Sequence, residues 1–299
     1  MPNSQVGFIG LGNMGGRMTR CIVAGGVDVL GYDKDPQAAA RFGAMPSRSI
    51  REVMENAEII LLSLPDSIVI ERVIEGEDGV LEHIRPRQVV ADMSTASAAS
   101  TKRLSRLIAE KGAFLVDAGI SGGAAAAEKG TLTLMVGGDP NAIARLQKVF
   151  SLIASKVIIM GECGAGHTAK LLNNFLNAVS LAATAEVMVA GKKAGLDLHR
   201  LLDVLNASSG VNFATLNRFP KIVDGDYLEG GLTSKLMTKD VLLYCDLLHE
   251  LGVSSLNSAG PMASFGLATA LGYGDVISNR VVDAIGDISG GVRLHNKEE

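Results

Sequence analysis

A glycine-rich turn near the start of the chain restricts the possible folds more than any other feature. It consists of Gly10-Leu11-Gly12-Asn13-Met14-Gly15 and directly follows the apolar run Gln5–Ile9. The first glycine permits a tight turn, the second lets the backbone approach a pyrophosphate, and the third lets the next helix pack on the strand. The pattern therefore predicts a strand, a phosphate-binding turn and a helix that open a βαβ unit.

An acidic residue follows the next predicted strand. Asp33 comes directly after the apolar run Val27–Tyr32 and 23 residues after Gly10, where a carboxylate accepts hydrogen bonds from the adenosine ribose of a dinucleotide. Its negative charge would repel the 2′-phosphate of NADP, so the sequence favours NAD as the cofactor. Lys34 and Arg41 lie nearby and keep NADP possible. The alternative is an ordinary acid at a strand end.

The two halves of the chain have different patterns. In the first half short apolar runs alternate with helical stretches, which predicts a mostly parallel, doubly wound sheet of the Rossmann type. In the second half long apolar helices dominate, the first over Ala165–Ala194. We predict an α/β fold with an NAD-binding domain over residues 1–162 and an all-helical domain over residues 163–299. The other predicted elements are the strands Glu58–Ser63, Val89–Asp92, Ala113–Ala118, Leu132–Gly137 and Lys156–Met160, and the helices Leu198–Asn206, Lys235–Leu251, Pro261–Leu271 and Val276–Ile288.

Composition and charge exclude several classes of protein. The net charge of −4 argues against a nucleic-acid-binding surface, which would be basic. The three cysteines match neither a zinc site nor a disulfide framework, so we expect no metal and a reducing, cytoplasmic environment. No basic segment precedes the first apolar run, and the stretch Leu171–Ala190 carries several polar residues. We therefore expect neither a signal peptide nor a membrane span.

A lysine lies at the start of this apolar stretch. His167, Lys170, Asn174 and Asn177 share one face of the predicted helix. A buried ammonium without a partner has a lowered pKa, and such a lysine can take and return a proton. The alternative is a lysine whose stem covers apolar surface while its amine stays in water. Asn174 would orient the amine or a substrate hydroxyl, and His167 is either a rival base or a polar residue of an exposed first turn.

Three loops at the carboxyl ends of predicted strands carry further candidates, because ligands of doubly wound sheets bind there. Leu64-Pro65-Asp66 and Asp92-Met93-Ser94-Thr95 follow two of the strands. Ser121-Gly122-Gly123 follows a third and offers a hydroxyl and accessible N–H groups to a small carboxylate. Each loop also fits a turn, an N-cap or a flexible connection.

A pair of charged residues in the second half is the last candidate. Lys239 would contact the cofactor, and the adjacent Asp240 would hold Lys239 or Lys170. The alternative is a solvated charge pair, because neighbouring charges on a helix are common at the surface.

Together these motifs resemble the β-hydroxyacid dehydrogenase family, which includes 3-hydroxyisobutyrate dehydrogenase, tartronate semialdehyde reductase and glyoxylate reductase. The resemblance covers essentially the whole chain. It rests on GFIGLGNMGGRM (7–18), DMST (92–95), DAGISGG (117–123), GTLTLMVGG (130–138), GAGHTAKLLNN (164–174) and KLMTKD (235–240).

The resemblance implies an NAD-dependent oxidoreductase that moves a hydride between the nicotinamide and the carbinol carbon of a small 3-hydroxy acid, or reduces a semialdehyde in reverse. It also implies an active site in a cleft between the domains, and a homodimer or homotetramer formed through the helical domain. The assigned residues are Lys170 and Asn174 for catalysis; Ser121, Gly122, Gly123, Thr95, Asn212 and Asp240 for the substrate; and Gly10, Leu11, Gly12, Asn13, Met14, Gly15, Asp33, Leu64, Pro65, Thr95 and Lys239 for the cofactor.

Departures from the family pattern bear on the substrate. Gly119 and Ala98 stand where relatives often have proline, which we expect to loosen loops beside the site. Asn212 and Phe213 lie where relatives differ in their substrate contacts.

Three functions are alternatives to the NAD-dependent dehydrogenase: an NADPH-preferring aldehyde or semialdehyde reductase, a non-catalytic NAD-binding interaction protein and an imine reductase. The presence of Lys170 argues against the last two.

Overall fold

The computed structural model describes residues 6–295 of the chain. The chain divides into two compact units, Met1–Lys170 and Leu171–Glu299. The division falls inside the helix that carries Lys170, because this helix begins in the first unit and continues into the second. The boundary predicted from the sequence, between residues 162 and 163, lies just before this helix.

The described part of the first unit contains one eight-stranded sheet. Its strands are β1 (Val6–Ile9), β2 (Val29–Tyr32), β3 (Met45–Pro46), β4 (Ile59–Leu62), β5 (Val89–Asp92), β6 (Phe114–Ser121), β7 (Leu132–Gly137) and β8 (Ala154–Gly161). Their order is β3-β2-β1-β4-β5-β6-β7-β8, and all neighbours are parallel except β6 and β7. The order reverses between β1 and β4, and ligands of such sheets bind beside the carboxyl ends of the strands at that point.

The strand predictions are confirmed to within one or two residues at each end, except for two strands. The short strand β3 was not predicted, because two residues are too few to form a pattern. Strand β6 continues beyond the predicted Ala118 to Ser121, because these extra residues pair with antiparallel β7. Residue Gln5, the predicted first residue of β1, lies outside the described residues.

Helices cover both faces of this sheet. Neighbouring strand residues point to opposite faces. Leu61 therefore packs in one cluster with the helices Asn13–Ala24, Gly123–Lys129 and Pro140–Ile153, whereas Ile60 packs in another with Ile50–Asn56, Ser67–Glu75 and Ala98–Glu110. The predicted doubly wound arrangement is therefore confirmed. The helices of this unit are α1 (Asn13–Ala24), α2 (Ala38–Arg41), α3 (Ile50–Asn56), α4 (Ser67–Glu75), α5 (Val80–His83), α6 (Ala98–Glu110), α7 (Gly123–Lys129) and α8 (Pro140–Ile153).

The second unit is helical and packs around one face of the 29-residue helix α9 (Ala165–Lys193). Leu181, Ala185 and Met188 lie on this face at helical spacing and are fully buried. The remaining helices are α10 (Leu198–Asn206), α11 (Phe213–Asn217), α12 (Phe219–Val223), α13 (Ser234–Leu251), α14 (Ala259–Ala268) and α15 (Val281–Ile288), with a π-helix at Thr269–Tyr273 and a 3-10 turn at Ser278–Arg280. In residues 6–295 no helix combines the length and apolar character needed to cross a bilayer.

Candidate active site

The glycine-rich turn has the geometry that a dinucleotide phosphate requires. Gly10 has φ +91°, which favours glycine, and a side chain on Gly15 would collide with the Gly10 carbonyl oxygen. A Cβ on Gly12 would meet no described atom within 4 Å, so this side of the turn is open. Gly12 is also the N-cap of α1 and has no side chain to cover the first N–H groups of the helix. These residues fit a pyrophosphate.

Asp33 is anchored directly to this turn. Its carboxylate accepts hydrogen bonds from the backbone N–H groups of Leu11, at 2.6 Å, and Asp35, at 2.9 Å. The carboxylate therefore stands beside the turn at the carboxyl end of β2, where a ribose would bind. Arg41, which kept NADP possible, forms an ion pair with Asp35, whereas Lys34 is exposed.

Hydroxyl groups join the two loops that follow β4 and β5. Ser94 Oγ accepts a hydrogen bond from the Leu64 N–H at 2.9 Å, and Ser67 Oγ accepts one from the Ser97 N–H at 2.9 Å. These bonds hold Pro65 and Thr95, two cofactor-side candidates, in neighbouring fixed loops. Ser94 was missed by the sequence reasoning, because a partner 30 residues away leaves no local pattern.

A buried carboxylate anchors the start of the lysine helix. Asp117 of β6 is fully buried and accepts hydrogen bonds from the N–H groups of Gly164 and His167, each at 2.6 Å. Cβ atoms on Gly137 and Gly166 would lie 2.7 and 3.0 Å from its two oxygens, so the glycines leave the space that the carboxylate fills. Two charge-assisted bonds thus fix where α9 begins relative to the sheet.

The structure corrects the interpretation of His167. The side chain is fully buried, so the expected exposed first turn is wrong. Its Nδ1 lies 2.8 Å from Thr101 Oγ1 and its Nε2 lies 3.2 Å from the Asp92 carbonyl oxygen. Both ring nitrogens therefore have partners inside the first unit, and His167 serves to hold α9 on the sheet. Helical spacing identified the face of the helix but not that this face is buried.

Lys170 packs directly on strand β6. The residue is only 8% exposed, and a Cβ on Gly119 would lie 2.6 Å from Lys170 Cβ and 3.1 Å from its Cγ. Residues two apart on a strand point to the same face, so Ser121 projects on the side of β6 where the lysine lies. The sheet thus brings together the proposed base and the proposed carboxylate-binding serine.

The two departures from the family pattern lie inside regular elements. Gly119 pairs with Met135 within the β6–β7 ladder, and Ala98 is the first residue of α6, where Ser97 is the N-cap. The expectation that they loosen loops is therefore wrong. Gly119 instead permits the close approach of the lysine stem.

The loop after β6 exposes backbone as the sequence predicts. Gly122 and Gly123 have φ +125° and +69°, which favour glycine, and a Cβ on Gly123 would meet no described atom within 4 Å. The following helix α7 is tied to the dinucleotide helix α1, because Glu128 pairs with Arg17 at 2.6 Å and also with Arg20. The candidate carboxylate site and the candidate cofactor site are therefore linked within the first unit.

In the second unit Asp240 of α13 orients the amide of Asn174. Asn174 Nδ2 donates to Asp240 Oδ2 at 2.6 Å, and Lys239 Nζ lies 3.1 Å from Asp240 Oδ1. Asp240 is only 1% exposed and pairs with Lys239 as predicted, so the alternative of a solvated charge pair is wrong. The carbonyl oxygen of Asn174 accepts a hydrogen bond from Asn173 Nδ2 at 3.3 Å and has a second lone pair for one further donor.

Asn212, a predicted substrate contact, is the N-cap of α11. Its Oδ1 accepts from the N–H groups of Ala214, at 2.8 Å, and Thr215, at 3.1 Å, while Nδ2 donates to Thr184 Oγ1 at 3.2 Å. Its amide is thus used in capping the helix, and a substrate contact stays a prediction. Phe213, the neighbouring specificity candidate, is 57% exposed.

The fold and the glycine turn define the first unit as the dinucleotide-binding domain of an oxidoreductase. Residues 5–161 match the family model for the NAD-binding domain of 6-phosphogluconate dehydrogenase. Residues 164–283 match the model described as NAD-binding of NADP-dependent 3-hydroxyisobutyrate dehydrogenase.

Relatives of known name indicate which oxidoreductases this chain is similar to. Mitochondrial 3-hydroxyisobutyrate dehydrogenase of Rattus norvegicus is 37% identical over 252 residues, which are 81% of this chain and 75% of the relative. 2-(Hydroxymethyl)glutarate dehydrogenase of Eubacterium barkeri is 35% identical over 274 residues, which are 90% and 91% of the two chains. A solved structure of Mycobacterium tuberculosis 3-hydroxyisobutyrate dehydrogenase with L-serine has a TM-score of 0.85 and 30% identity, and covers 93% of this chain and 98% of that one.

The chain belongs to the β-hydroxyacid dehydrogenase family. It is an NAD-binding oxidoreductase that acts on the CH–OH group of a small hydroxy acid. The fold class and reaction type predicted from the sequence are confirmed. The alternatives, an NADPH-preferring reductase or a non-catalytic NAD-binding protein, are not favoured.

Proposed function

We propose that the chain oxidises the CH2OH group of a 3-hydroxypropanoate substituted at C2, with Lys170 as general acid/base. The compounds named with its relatives share this skeleton: C2 carries a methyl group in 3-hydroxyisobutyrate, a carboxyethyl group in 2-(hydroxymethyl)glutarate and an amino group in L-serine. One observation carries the proposal. Lys170 packs on Gly119, and Ser121 projects from the same face of β6.

The spacing along β6 suits a substrate of this size. Gly119 and Ser121 are two residues apart, which is about 6.5 Å along a strand. A three-carbon hydroxy acid therefore has its carboxylate near Ser121 Oγ and the N–H groups of Gly122 and Gly123 while its hydroxyl reaches the lysine amine. This assigns the Ser121 loop to the carboxylate and Lys170 to the hydroxyl.

In oxidation the substrate loses a hydride from its carbinol carbon and a proton from its hydroxyl. Bound NAD supplies the hydride acceptor. The neutral amine of Lys170 takes the hydroxyl proton, and in reduction the ammonium returns a proton to the carbonyl oxygen. The carbonyl oxygen of Asn174 accepts from Asn173 Nδ2 at 3.3 Å, and its second lone pair is offered to the amine or the hydroxyl. Asp240 holds Nδ2 of the same amide and so fixes its orientation.

The test is NADH formation by the purified protein with NAD and each of 3-hydroxyisobutyrate, 2-(hydroxymethyl)glutarate and L-serine. Two controls separate carboxylate recognition from alcohol recognition: the methyl ester of 3-hydroxyisobutyrate, and 4-hydroxybutyrate, whose hydroxyl lies one carbon further away. We expect turnover of at least one panel acid and loss of activity with both controls. Equal turnover of acid and ester would reject the assigned carboxylate site.

We propose NAD rather than NADP as the preferred cofactor, because the Asp33 carboxylate adjoins the glycine turn. The change Asp33→Ser removes the carboxylate that would accept hydrogen bonds from the ribose of NAD. It also removes the negative charge that would repel the 2′-phosphate of NADP. We expect kcat/KM for NAD to fall about 10- to 100-fold and the preference for NAD over NADP to shrink. The control is Asp28→Ser, an exposed acid at the amino end of β2. An unchanged NAD preference in Asp33→Ser would contradict the role.

We propose that the chain forms a homodimer or homotetramer through α9. The helix side opposite the buried face carries Leu172, Leu176 and Val187, which are 42%, 68% and 44% exposed. An apolar stripe along a helix indicates contact with another copy, and symmetric self-association is the commonest form. We expect Leu176→Glu to lower the molar mass measured by light scattering toward the monomer. The control Leu256→Glu, at an 84% exposed position outside α9, is expected to keep the wild-type molar mass. Equal molar masses for the two variants would contradict the proposal that the apolar stripe of α9 forms the contact between copies.

We also propose a cytoplasmic location. Its support is the chemistry of Cys21, Cys163 and Cys245, which are all free thiols and are typical of a reducing compartment. Burial raises the pKa of Cys163 to about 12, which suppresses the reactive thiolate. Fractionation of the source cells, with the protein followed by antibody, tests the assignment.

A further inference from the structure

Strand β8, the last in the order of the sheet, has a free edge. It pairs with β7 on one side, and in residues 6–295 no strand pairs with its other side. This strand of eight residues therefore presents unpaired N–H and C=O groups along that side. The opposite edge strand, β3, has only two residues and includes Pro46, which cannot donate a hydrogen bond to another strand. Only the β3 end of the sheet is thus protected against further pairing.

The side chains of β8 are apolar for such an edge. Ile158, Ile159 and Met160 follow one another along the strand and are 38%, 54% and 43% exposed. Proteins usually protect a long edge strand with proline, charged side chains or a covering segment, because a free apolar edge pairs readily with another chain. The only charged residue within Ala154–Gly161 is Lys156. An uncovered edge of this composition indicates that another strand pairs with it.

The charges on either side of the apolar residues indicate which strand this is. Lys156 precedes them and Glu162 follows them; both are exposed, and neither forms an ion pair with a residue in the range 6–295. When two identical strands pair antiparallel, one residue lies opposite itself on the two-fold axis. Ile159 is the one position on the axis that puts Lys156 opposite Glu162 of the partner subunit. The same register puts Ile158 opposite Met160 of the partner subunit, so the segment is complementary to itself.

We propose that β8 pairs antiparallel with β8 of a second copy of this chain, with Ile159 on the two-fold axis. The pairing continues the sheet of one copy into the sheet of the other and satisfies the free backbone groups of both edges. Every contact occurs twice, so the apolar side chains leave water on both strands and two opposite-charge pairs form at the ends. This contact lies in the first unit alone and is independent of the one proposed for α9. The two contacts together are what a homotetramer with two-fold symmetry needs.

Disulfide trapping tests the register. In Ile159→Cys the two introduced thiols lie directly opposite each other, at a separation that a disulfide accepts, and we expect mild oxidation to give a covalent dimer on a non-reducing gel. In the matched control Ile158→Cys the thiols are diagonal neighbours beyond disulfide reach, so a single chain is expected, as for oxidised wild type. Ile158→Cys/Met160→Cys is expected to give the covalent dimer again. Equal cross-linking of Ile159→Cys and Ile158→Cys, or none in Ile159→Cys, would overturn the proposal.

Charge exchange tests whether the partner is an identical strand. Lys156→Glu and Glu162→Lys each place like charges opposite one another at both ends of the pairing. We expect either change to raise the dissociation constant, measured by sedimentation over a dilution series, at least about tenfold. The double variant Lys156→Glu/Glu162→Lys restores the opposite charges and is expected to recover the wild-type constant, and Lys111→Glu, at an exposed lysine after α6, is expected to keep it. Single variants that associate as wild type does, or a double variant weaker than both, would contradict the pairing.

Variants of both contacts separate this inference from the contact proposed for α9. Ile159→Lys places two ammonium groups opposite each other on the axis, whereas Leu176→Glu changes α9 alone. By light scattering we expect a tetramer for wild type, a dimer for each single variant and a monomer for Ile159→Lys/Leu176→Glu. A lower molar mass in Ile159→Lys but not in Leu176→Glu would support the β8 pairing and reject the α9 contact. The wild-type molar mass in Ile159→Lys, or a monomeric wild type, would overturn the β8 pairing.

Discussion

Replacing Lys170 with alanine is expected to lower kcat for oxidation of the hydroxy acid by at least about 100-fold, the contribution typical of a positioned general base. The role proposed for the amine is to take the hydroxyl proton, and the lysine stem packs against Gly119 of β6. Steady-state NADH formation with saturating NAD measures the effect. The dissociation constant for NADH, measured by its fluorescence, is expected to stay within about threefold of wild type, because the glycine turn and Asp33 are untouched.

A second lysine of the same helix is the matched control. Lys193 lies near the end of α9, where its Nζ donates to the Ser289 carbonyl oxygen at 2.9 Å, and Lys193→Ala is expected to keep wild-type turnover. A loss of less than tenfold in Lys170→Ala would reject the general acid/base assignment. A similar loss of turnover in both variants would show that turnover depends on any change to this helix, and not on the amine of Lys170.

Replacing Asp117 with alanine is expected to have the largest effect on stability, lowering the free energy of unfolding by at least about 3 kcal/mol. The change leaves the N–H groups of Gly164 and His167 buried without the carboxylate that accepts both hydrogen bonds. It also opens a cavity between Gly137 and Gly166, whose lack of side chains makes room for the carboxylate. Urea unfolding followed by circular dichroism measures the loss.

An exposed aspartate with the same bonding pattern isolates the role of burial. Asp139 is the N-cap of α8 and accepts hydrogen bonds from the N–H groups of Asn141 and Ala142 at 2.9 and 3.0 Å. Water replaces these bonds when the side chain is removed, so Asp139→Ala is expected to cost only about 1 kcal/mol. Equal losses in the two variants would contradict the claim that Asp117 anchors the lysine helix through buried bonds.

Local patterns in the sequence predicted the frame of the site. The spacing of Gly10, Gly12 and Gly15 predicted a turn that the structure contains. Gly10 and Gly15 meet steric needs of this turn, and Gly12 leaves open the side that a phosphate would approach. Helical periodicity placed Lys170 and Asn174 on one face of a long helix, and the structure shows that face to be the buried one. Periodicity identifies which residues share a face, and tertiary packing decides what covers it.

The residues that the sequence did not reveal act through distant partners. Asp117 bonds to Gly164, 47 residues away, and Ser94 bonds to Leu64, 30 residues away. No spacing rule connects such pairs, because only the folded chain brings them together. For the same reason His167 could not be separated from Lys170 as a candidate base until its two ring nitrogens were seen to have partners.

Chemical rescue of Lys170→Ala tests the central claim most directly. In this variant a small primary amine, such as ethylamine, can enter the space left by the lysine side chain and take the hydroxyl proton. NADH formation from a panel acid is expected to rise in proportion to the free-base concentration of the amine, and wild type is expected to show no such rise. NADH formation by Lys170→Ala at the wild-type rate without any amine would contradict the claim that the lysine transfers the proton.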